Sequence, residues 1–267
     1  MNTPQSTAWR YICPVTSMLV SCMPPAAPTA DARPTSNTAS ASFAPPVASR
    51  STSASLLLDV PGFLPASLVV PSGTDARPLV VAAHGAGGAP EWDCEYWARL
   101  TRERAFVLCP RGTAMGAGSF YFKHHHALAA EVQAAVTAAR QQFPRILPTS
   151  GIYAGFSQGA SMGALMISSQ AKQLPYVVLI EGFTQWNVAL GRAFNEQGGQ
   201  AVLFVCGTGD CASKAKASAA ALQRVPLRVR SEYASGTGHT ASGAVMDLVV
   251  QHLPWLLASD PAWVAAR

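Results

Sequence analysis

Three residues that could together carry out acyl transfer occur in a telling order along the chain: Ser157, Asp210 and His239. Acyl transfer by a serine needs a base within reach of its hydroxyl, a carboxylate that orients the base, and N–H donors for the oxyanion. Ser157 lies in Gly-Phe-Ser-Gln-Gly, residues 155–159, directly after strand-forming residues. A tight strand-to-helix turn of this kind exposes the serine Oγ above the sheet edge. We interpret Ser157 as nucleophile, His239 as general base and Asp210 as orienting acid.

The acid has an open alternative. Asp210 follows a predicted strand at 201–206, but it could instead cap a helix, because Asp is a favoured N-cap residue. Glu181 follows the preceding predicted strand, 176–180, and is the rival acid. We favour Asp210 because its position after a strand suits catalysis.

Apolar runs alternate with helical patterns through most of the chain. The predicted strands are 67–71, 78–83, 105–110, the run ending at residue 156, 176–180, 201–206 and 227–231. One predicted helix follows residues 155–159, and others span 92–102, 126–142 and 241–253. Pro254 is expected to interrupt the last. Such alternation predicts a mostly parallel sheet with helices on both faces and ligands at the carboxyl ends of the strands.

Two motifs carry a family resemblance that extends from about Leu68 to the C-terminus. Residues 155–159 are similar to the serine motif of the phospholipase/carboxylesterase group, and His-Gly-Ala-Gly-Gly at 84–88 resembles the oxyanion segment of polyhydroxyalkanoate-depolymerase-like esterases. The chain therefore resembles the α/β-hydrolase superfamily of serine esterases. The resemblance implies an α/β-hydrolase fold with small or no lid. It also implies an oxyanion hole made by the backbone N–H of Gln158 and that of Ala86 or Gly87, with His84 shaping the loop.

Several aromatic residues follow predicted strands and could line a substrate pocket, although about half of them could equally be core. The pocket candidates are Phe120, Tyr121, Phe183 and Trp186. Adjacent histidines at 124–126 invite a metal interpretation, but neighbouring side chains at a helix start point in different directions and no carboxylate or Cys lies at ligand spacing. We expect a solvated or pocket-lining loop there, with no metal and no cofactor.

Four cysteines in the predicted domain allow three pairings. The local one, Cys94 with Cys109 and Cys206 with Cys211, is the most economical. Metal binding is the rival interpretation, but the chain has no Cys-x-x-Cys pair and no Cys/His cluster at zinc spacing. We therefore favour disulfides, which suit an exported protein.

The N-terminal region has its own composition. Residues 1–22 contain Arg10, a short apolar segment and then Leu-Val-Ser-Cys, which resembles a bacterial lipobox with Cys22 as the lipidated residue. A disordered cytoplasmic leader or a misassigned start is the alternative. Residues 23–52 are rich in Pro, Ala, Ser and Thr and predict a flexible linker before a catalytic domain at 53–267. We expect an exported protein, either a cell-envelope lipoprotein or a secreted one.

Composition narrows the function further. Of 267 residues only 12% are charged, the net charge is +5, and Lys and Arg form no run, which argues against nucleic-acid binding. We expect a monomeric serine hydrolase of small-molecule or polymer-surface esters that contacts a membrane only through an N-terminal lipid anchor. Thioester hydrolysis or acyl transfer by the same residues is an alternative, and so is a catalytically silent tethered binding module.

Overall fold

The computed structural model describes residues 54–264. The predicted signal segment with Cys22 and the predicted linker at 23–52 lie outside the described residues.

Ten strands and seven helices follow one another along the described chain. The strands are β1 (Ala54–Leu58), β2 (Ala66–Val70), β3 (Leu79–Ala83), β4 (Phe106–Cys109), β5 (Thr113–Gly116), β6 (Ser119–Tyr121), β7 (Ile152–Phe156), β8 (Tyr176–Ile180), β9 (Ala201–Cys206) and β10 (Arg228–Tyr233). The helices are α1 (Pro90–Thr101), α2 (His125–Gln142), α3 (Gln158–Met166), α4 (Val188–Glu196), α5 (Gly209–Leu222), α6 (Ala244–Leu256) and α7 (Pro261–Val264). A short 3-10 helix, Ile167–Gln170, follows α3.

Eight of the strands form one sheet in the order β1-β2-β4-β3-β7-β8-β9-β10. The strands β1, β2 and β4 pair antiparallel, and all pairs from β4 to β10 are parallel. The prediction of a mostly parallel sheet is confirmed. The order places β7, which ends at the candidate nucleophile, between β3 and β8 near the middle of the sheet.

Both faces of the sheet are covered, which explains the continuous apolar runs. Along β3, Leu79, Val81 and Ala83 pack in one core cluster, which includes buried residues of α2 and α3. The intervening Val80 and Ala82 pack in the other, which includes residues of α1 and α6. Successive side chains of a strand point to opposite faces, so a strand buried on both sides shows no polar alternation.

The structure differs from the sequence prediction in several places. Residues 111–122, for which no helix or strand was predicted, contain the hairpin of β5 and β6, and β1, α4 and α7 were not predicted either. Helix α6 continues through Pro254, so the predicted interruption is wrong. Pro254 has no backbone N–H, so the carbonyl of Val250 loses its helical donor. Both residues are exposed, so water can hydrate that carbonyl.

The two disulfides of the local pairing are present, with Cα–Cα distances of 5.8 Å for Cys94–Cys109 and 5.6 Å for Cys206–Cys211. Between residues 54 and 264, no helix combines the length and the apolar character needed to span a bilayer.

Candidate active site

Ser157 occupies the turn between β7 and α3 in a strained conformation. Its backbone has φ of 51° and ψ of −106°, a region that non-glycine residues rarely adopt and that recurs at functional sites. The turn requires glycine two residues later, because a Cβ on Gly159 would lie 2.2 Å from the carbonyl oxygen of Ala83. The close approach of β3 to this turn therefore fixes the position of the serine.

A continuous hydrogen-bond relay joins three side chains. The Nε2 atom of His239 lies 2.8 Å from Oγ of Ser157, and its Nδ1 atom lies 2.8 Å from Oε2 of Glu181. His239 sits in the loop after β10, with its ring between Phe156 at 5.3 Å and Phe183 at 5.6 Å. These contacts hold the imidazole so that one nitrogen faces the hydroxyl and the other faces a carboxylate.

Glu181 directly follows β8, is fully buried and has a positive φ of 52°. Its Oε1 atom accepts the backbone N–H groups of Gly207 and Thr208, and Oε2 accepts the Thr208 hydroxyl at 2.9 Å. Burial raises the pKa of this carboxyl, but these donors and His239 outweigh burial and lower the pKa below its usual value. Glu181 is therefore held as a carboxylate.

The assignment of Asp210 as the acid is corrected by this geometry. Asp210 is exposed in the first turn of α5, where an acidic side chain favours the helix N-terminus. Within residues 54–264, its side chain makes no hydrogen bond or ion pair with His239. The short segment between Cys206 and Cys211 instead donates two backbone N–H groups to the Glu181 carboxylate.

Two backbone N–H groups next to Ser157 have no acceptor within the described part of the chain: those of Gln158 and Ala86. A Cβ on Gly85 would come within 3.1 Å of the Ser157 Cβ, so the loop at 84–88 lies directly against the serine. The third predicted donor does not qualify, because the Gly87 N–H donates to the Phe120 carbonyl at 2.8 Å. The structure therefore favours Ala86 over Gly87.

The hairpin of β5 and β6 holds both candidate oxyanion segments, the loop at 84–88 and Gln158. Phe120 exchanges backbone hydrogen bonds with Gly87 and Gly88 of the loop, and the Gln158 side chain accepts the Phe122 N–H at 2.8 Å. His84 is buried, as expected of a residue that shapes this loop. Its Nδ1 lies 2.7 Å from the Gly85 carbonyl oxygen, Nε2 lies 3.0 Å from that of Arg111, and its ring stacks on Phe122.

The predicted pocket residues divide between the site and the core. Phe183 is 41% exposed beside His239 and belongs to the site. Trp186 is 1% exposed and packs edge-on against Phe194 and Phe204, so its assignment to the pocket is wrong. Phe120 and Tyr121 are half-buried in β6 beside the oxyanion loop.

A cavity of about 590 Å³, which the sequence did not predict, borders the oxyanion loop on the side of α1 and α6. Trp92, Asp93 and Tyr96 of α1 line it, together with Phe156 and Met246. The sequence does contain a signal for this cavity. Trp92 and Tyr96 follow the His-Gly segment and are four residues apart, which places both on one face of a helix.

The three adjacent histidines lie at the N-terminus of α2, which begins at His125. The Nδ1 atom of His124 accepts the Ala127 N–H at 3.1 Å and caps the helix, while the rings of His125 and His126 lie 3.9 Å apart. In residues 54–264 the sole group of three side chains at metal-binding distances is Glu181, Cys206 and Cys211. Those cysteines form a disulfide, so they have no thiolate to offer a metal.

Comparisons with known proteins support the fold described above. No protein-family model matches the sequence, and no relative is found among curated proteins. The structure is similar to that of esterase PE8, at 17% identity and a TM-score of 0.59, covering 76% of this chain and 100% of that one. A phospholipase/carboxylesterase from Dyadobacter fermentans matches at 20% identity and 0.53, covering 70% and 94%. The substrate-bound fluorophosphonate-binding serine hydrolase F of Staphylococcus aureus matches at 15% identity and 0.57, covering 77% and 98%. The chain has the α/β-hydrolase fold, as the resemblance implied.

Proposed function

We propose that this protein is a serine hydrolase of carboxylic esters with Ser157, His239 and Glu181 as its catalytic residues. The observation that carries the proposal is the unbroken relay from the Ser157 hydroxyl through both nitrogens of His239 to the buried carboxylate. A nucleophile, a base in contact with it and a third group that orients the base form the arrangement that serine acyl transfer requires.

The reaction follows from the position of each group. Ser157 Oγ attacks the ester carbonyl carbon while Nε2 of His239 takes the hydroxyl proton, and the Glu181 carboxylate stabilises the imidazolium. The N–H groups of Gln158 and Ala86 donate to the oxyanion of the tetrahedral intermediate. His239 then gives its proton to the departing alkoxide, which leaves an acyl-Ser157. Water, deprotonated by His239, attacks this ester, and His239 then returns the proton to Oγ of Ser157 as the carboxylic acid leaves.

Two further observations support the proposal and its setting. The solved structures named above include an esterase and a serine hydrolase, and this chain shares their fold. Two disulfides are typical of proteins from an oxidising compartment, which supports an exported enzyme. We further propose that residues 1–22 direct export, that Cys22 carries a lipid, and that the enzyme acts as a monomer on small or surface-bound esters.

Active-site labelling by a fluorophosphonate probe tests the proposal, because such probes react with an activated serine. The wild-type protein should incorporate one probe and hydrolyse a soluble aryl ester, and Ser157→Ala should do neither. Ser213→Ala, which removes an exposed hydroxyl on α5, is the matched control and should label normally. Wild-type protein that is folded but neither labels nor hydrolyses esters would instead favour a silent binding module.

A further inference from the structure

The cavity beside the oxyanion loop adjoins the proposed reacting groups. Its walls include Phe156, the residue before Ser157, and Ile180, the residue before Glu181. They also include residues 84–88 and Ala241, two positions after His239. Ala86, whose N–H is a proposed oxyanion donor, lines this space itself, so a substituent of an ester whose carbonyl lies at Ser157 can extend into it.

Aromatic and sulfur-containing side chains surround much of the cavity. Trp92, Tyr96 and Phe156 contribute rings, and Met246 of α6 contributes its thioether. Trp92 is 69% exposed and so lies at the mouth. Aromatic rings present negative faces that attract cations, an effect that strengthens when water is excluded.

One carboxyl group lies in this aromatic cavity without a partner. No hydrogen bond or ion pair reaches the Asp93 side chain from anywhere in residues 54–264. Burial raises its pKa to about 6, and attraction by His84 offsets only part of that effect. His84 does not bind the carboxyl, because its ring nitrogens lie against the carbonyl oxygens of Gly85 and Arg111.

The other charged groups of the cavity do not compensate Asp93. Glu95 and Arg99, one turn apart on α1, pair with each other at 3.3 Å, and each side chain is 70% exposed. Their charges cancel at the rim and are screened by solvent. Asp93 is therefore a half-buried carboxylate of the cavity that has no hydrogen-bonded or ion-paired partner among residues 54–264, and a bound cation would supply one.

We propose that the Asp93 cavity binds an ammonium group, so that the enzyme prefers esters that carry a quaternary or protonated amine. This inference rests on the proposed esterase function and names its substrate class. Asp93 supplies the countercharge, and the rings of Trp92, Tyr96 and Phe156 supply faces for the alkyl groups around the nitrogen. Asp93 is a specificity-determining residue in this scheme and takes no part in proton transfer at Ser157.

Pairs of esters that differ only in charge test the proposal. One pair places a trimethylammonium group or the isosteric tert-butyl group at the end of the acyl chain of a nitrophenyl ester. The second pair places the same two groups on the alcohol, as in butyrylcholine and its neutral isostere. A third nitrophenyl ester ends in a hydroxyl group. The measured quantity is the ratio of kcat/KM between the charged and the neutral member of each pair.

We expect the wild-type ratio to be about tenfold or more for at least one pair, because one favourable cation site contributes a preference of that size. In Asp93→Asn this ratio should fall close to one, with circular dichroism and thermal melting reporting that the variant is folded. Asp59→Asn also removes one carboxylate, from an exposed position that does not line the cavity, and should retain the wild-type ratio.

The outcomes separate the two proposals. If wild-type protein hydrolyses none of the esters, the proposed function fails. If it hydrolyses the neutral esters but shows ratios near one, or if Asp93→Asn keeps the wild-type ratio, the ammonium site is overturned while the esterase function stands. A preference for the hydroxyl ester over the ammonium ester would also overturn it, because Asp93 would then select a neutral donor.

Discussion

His239 and Glu181 contact each other at the boundary between solvent and the protein interior. Their Nδ1 and Oε2 atoms are 2.8 Å apart, yet the histidine side chain is 40% exposed and the glutamate side chain is fully buried. The carboxylate is therefore shielded from water, and backbone donors of Gly207 and Thr208 hold it in place. The orientation of the exposed imidazole is set from inside the fold.

Glu181→Gln should lower kcat by about 100- to 10,000-fold with little change in KM. The amide keeps the shape of the side chain but cannot stabilise an imidazolium, and it no longer fixes the tautomer that presents Nε2 to Ser157. Steady-state kinetics on a soluble aryl ester measure the effect.

Asp210→Asn is the matched control for the acid. It removes an exposed carboxylate only a few residues from Thr208, and we expect kcat within about twofold of the wild-type value, as for most surface changes. A large loss in Asp210→Asn together with a small one in Glu181→Gln would contradict the assignment.

The acid shows why sequence patterns located the site but not all of its residues. Glu181 and Asp210 both follow predicted strands, so the pattern leaves both open. The folded contact decides between them: Nδ1 of His239, in the loop after β10, lies 2.8 Å from Oε2 of Glu181. That contact depends on packing between segments that are distant in sequence, which no local pattern records. Gly155 and Gly159, in contrast, mark a local backbone constraint that can be recognised from the sequence alone.

The same distinction separates the predicted strands from the missed features. Continuous apolar runs predicted β3, β8 and β9 almost to the residue, because burial on both faces leaves a local signature. The β5–β6 hairpin and the Asp93 cavity have no such signature. Trp186 and Phe183 both follow β8, yet one packs in the core and the other beside His239, a difference that only the path of the chain decides.

Removing the Cys206–Cys211 disulfide should impair catalysis strongly, although the loop that this disulfide closes is short. Its sulfur atoms and a carboxylate oxygen of Glu181 all lie within 4.8 Å of one another, and the loop it closes donates two N–H groups to that carboxylate. In Cys206→Ala/Cys211→Ala we expect kcat to fall by about tenfold or more, because small displacements of catalytic groups are costly. Kinetics and denaturant unfolding should be measured together.

The second disulfide provides the control. Cys94–Cys109 closes a longer segment, with a sequence separation of 15 rather than 5, so its removal should cost more stability, about 3 against about 2 kcal/mol. Because it lies between α1 and β4, Cys94→Ala/Cys109→Ala should leave kcat nearly unchanged. Equal losses of kcat in the two double variants would show that the Cys206–Cys211 disulfide acts only through global stability.

Phe183 and Trp186 should respond in opposite ways to truncation. Trp186→Ala removes a buried ring from a cluster with Phe194 and Phe204 and should cost about 3–5 kcal/mol in the free energy of unfolding. Phe183→Ala removes a 41% exposed ring that stacks on His239, so it should change kcat/KM with a much smaller loss of stability. Chemical denaturation and ester kinetics on both variants separate the two roles.

Asp93→Asn should stabilise the protein, and the gain should depend on pH. The carboxyl has a pKa of 3.8 in an unstructured chain and about 6 in the fold. As the pH rises from about 4 to 6, the unfolded state releases this proton first, so the contribution of Asp93 to stability falls through that window. Above it, the native protein bears a constant cost of at most about 3 kcal/mol, which the neutral amide avoids.

Urea unfolding of wild-type and variant protein across this pH range measures the difference directly. The other acidic groups, including the buried Glu131, are common to both proteins and cancel. The stabilisation should approach zero below about pH 3, where Asp93 is protonated in both the folded and the unfolded state, and reach its plateau above about pH 7. Asp59→Asn removes an exposed carboxyl between β1 and β2 and should show no such rise. A gain for Asp93→Asn that is the same at all pH values would mean that Asp93 is not held ionised at a cost, and the charge in the cavity would need another explanation.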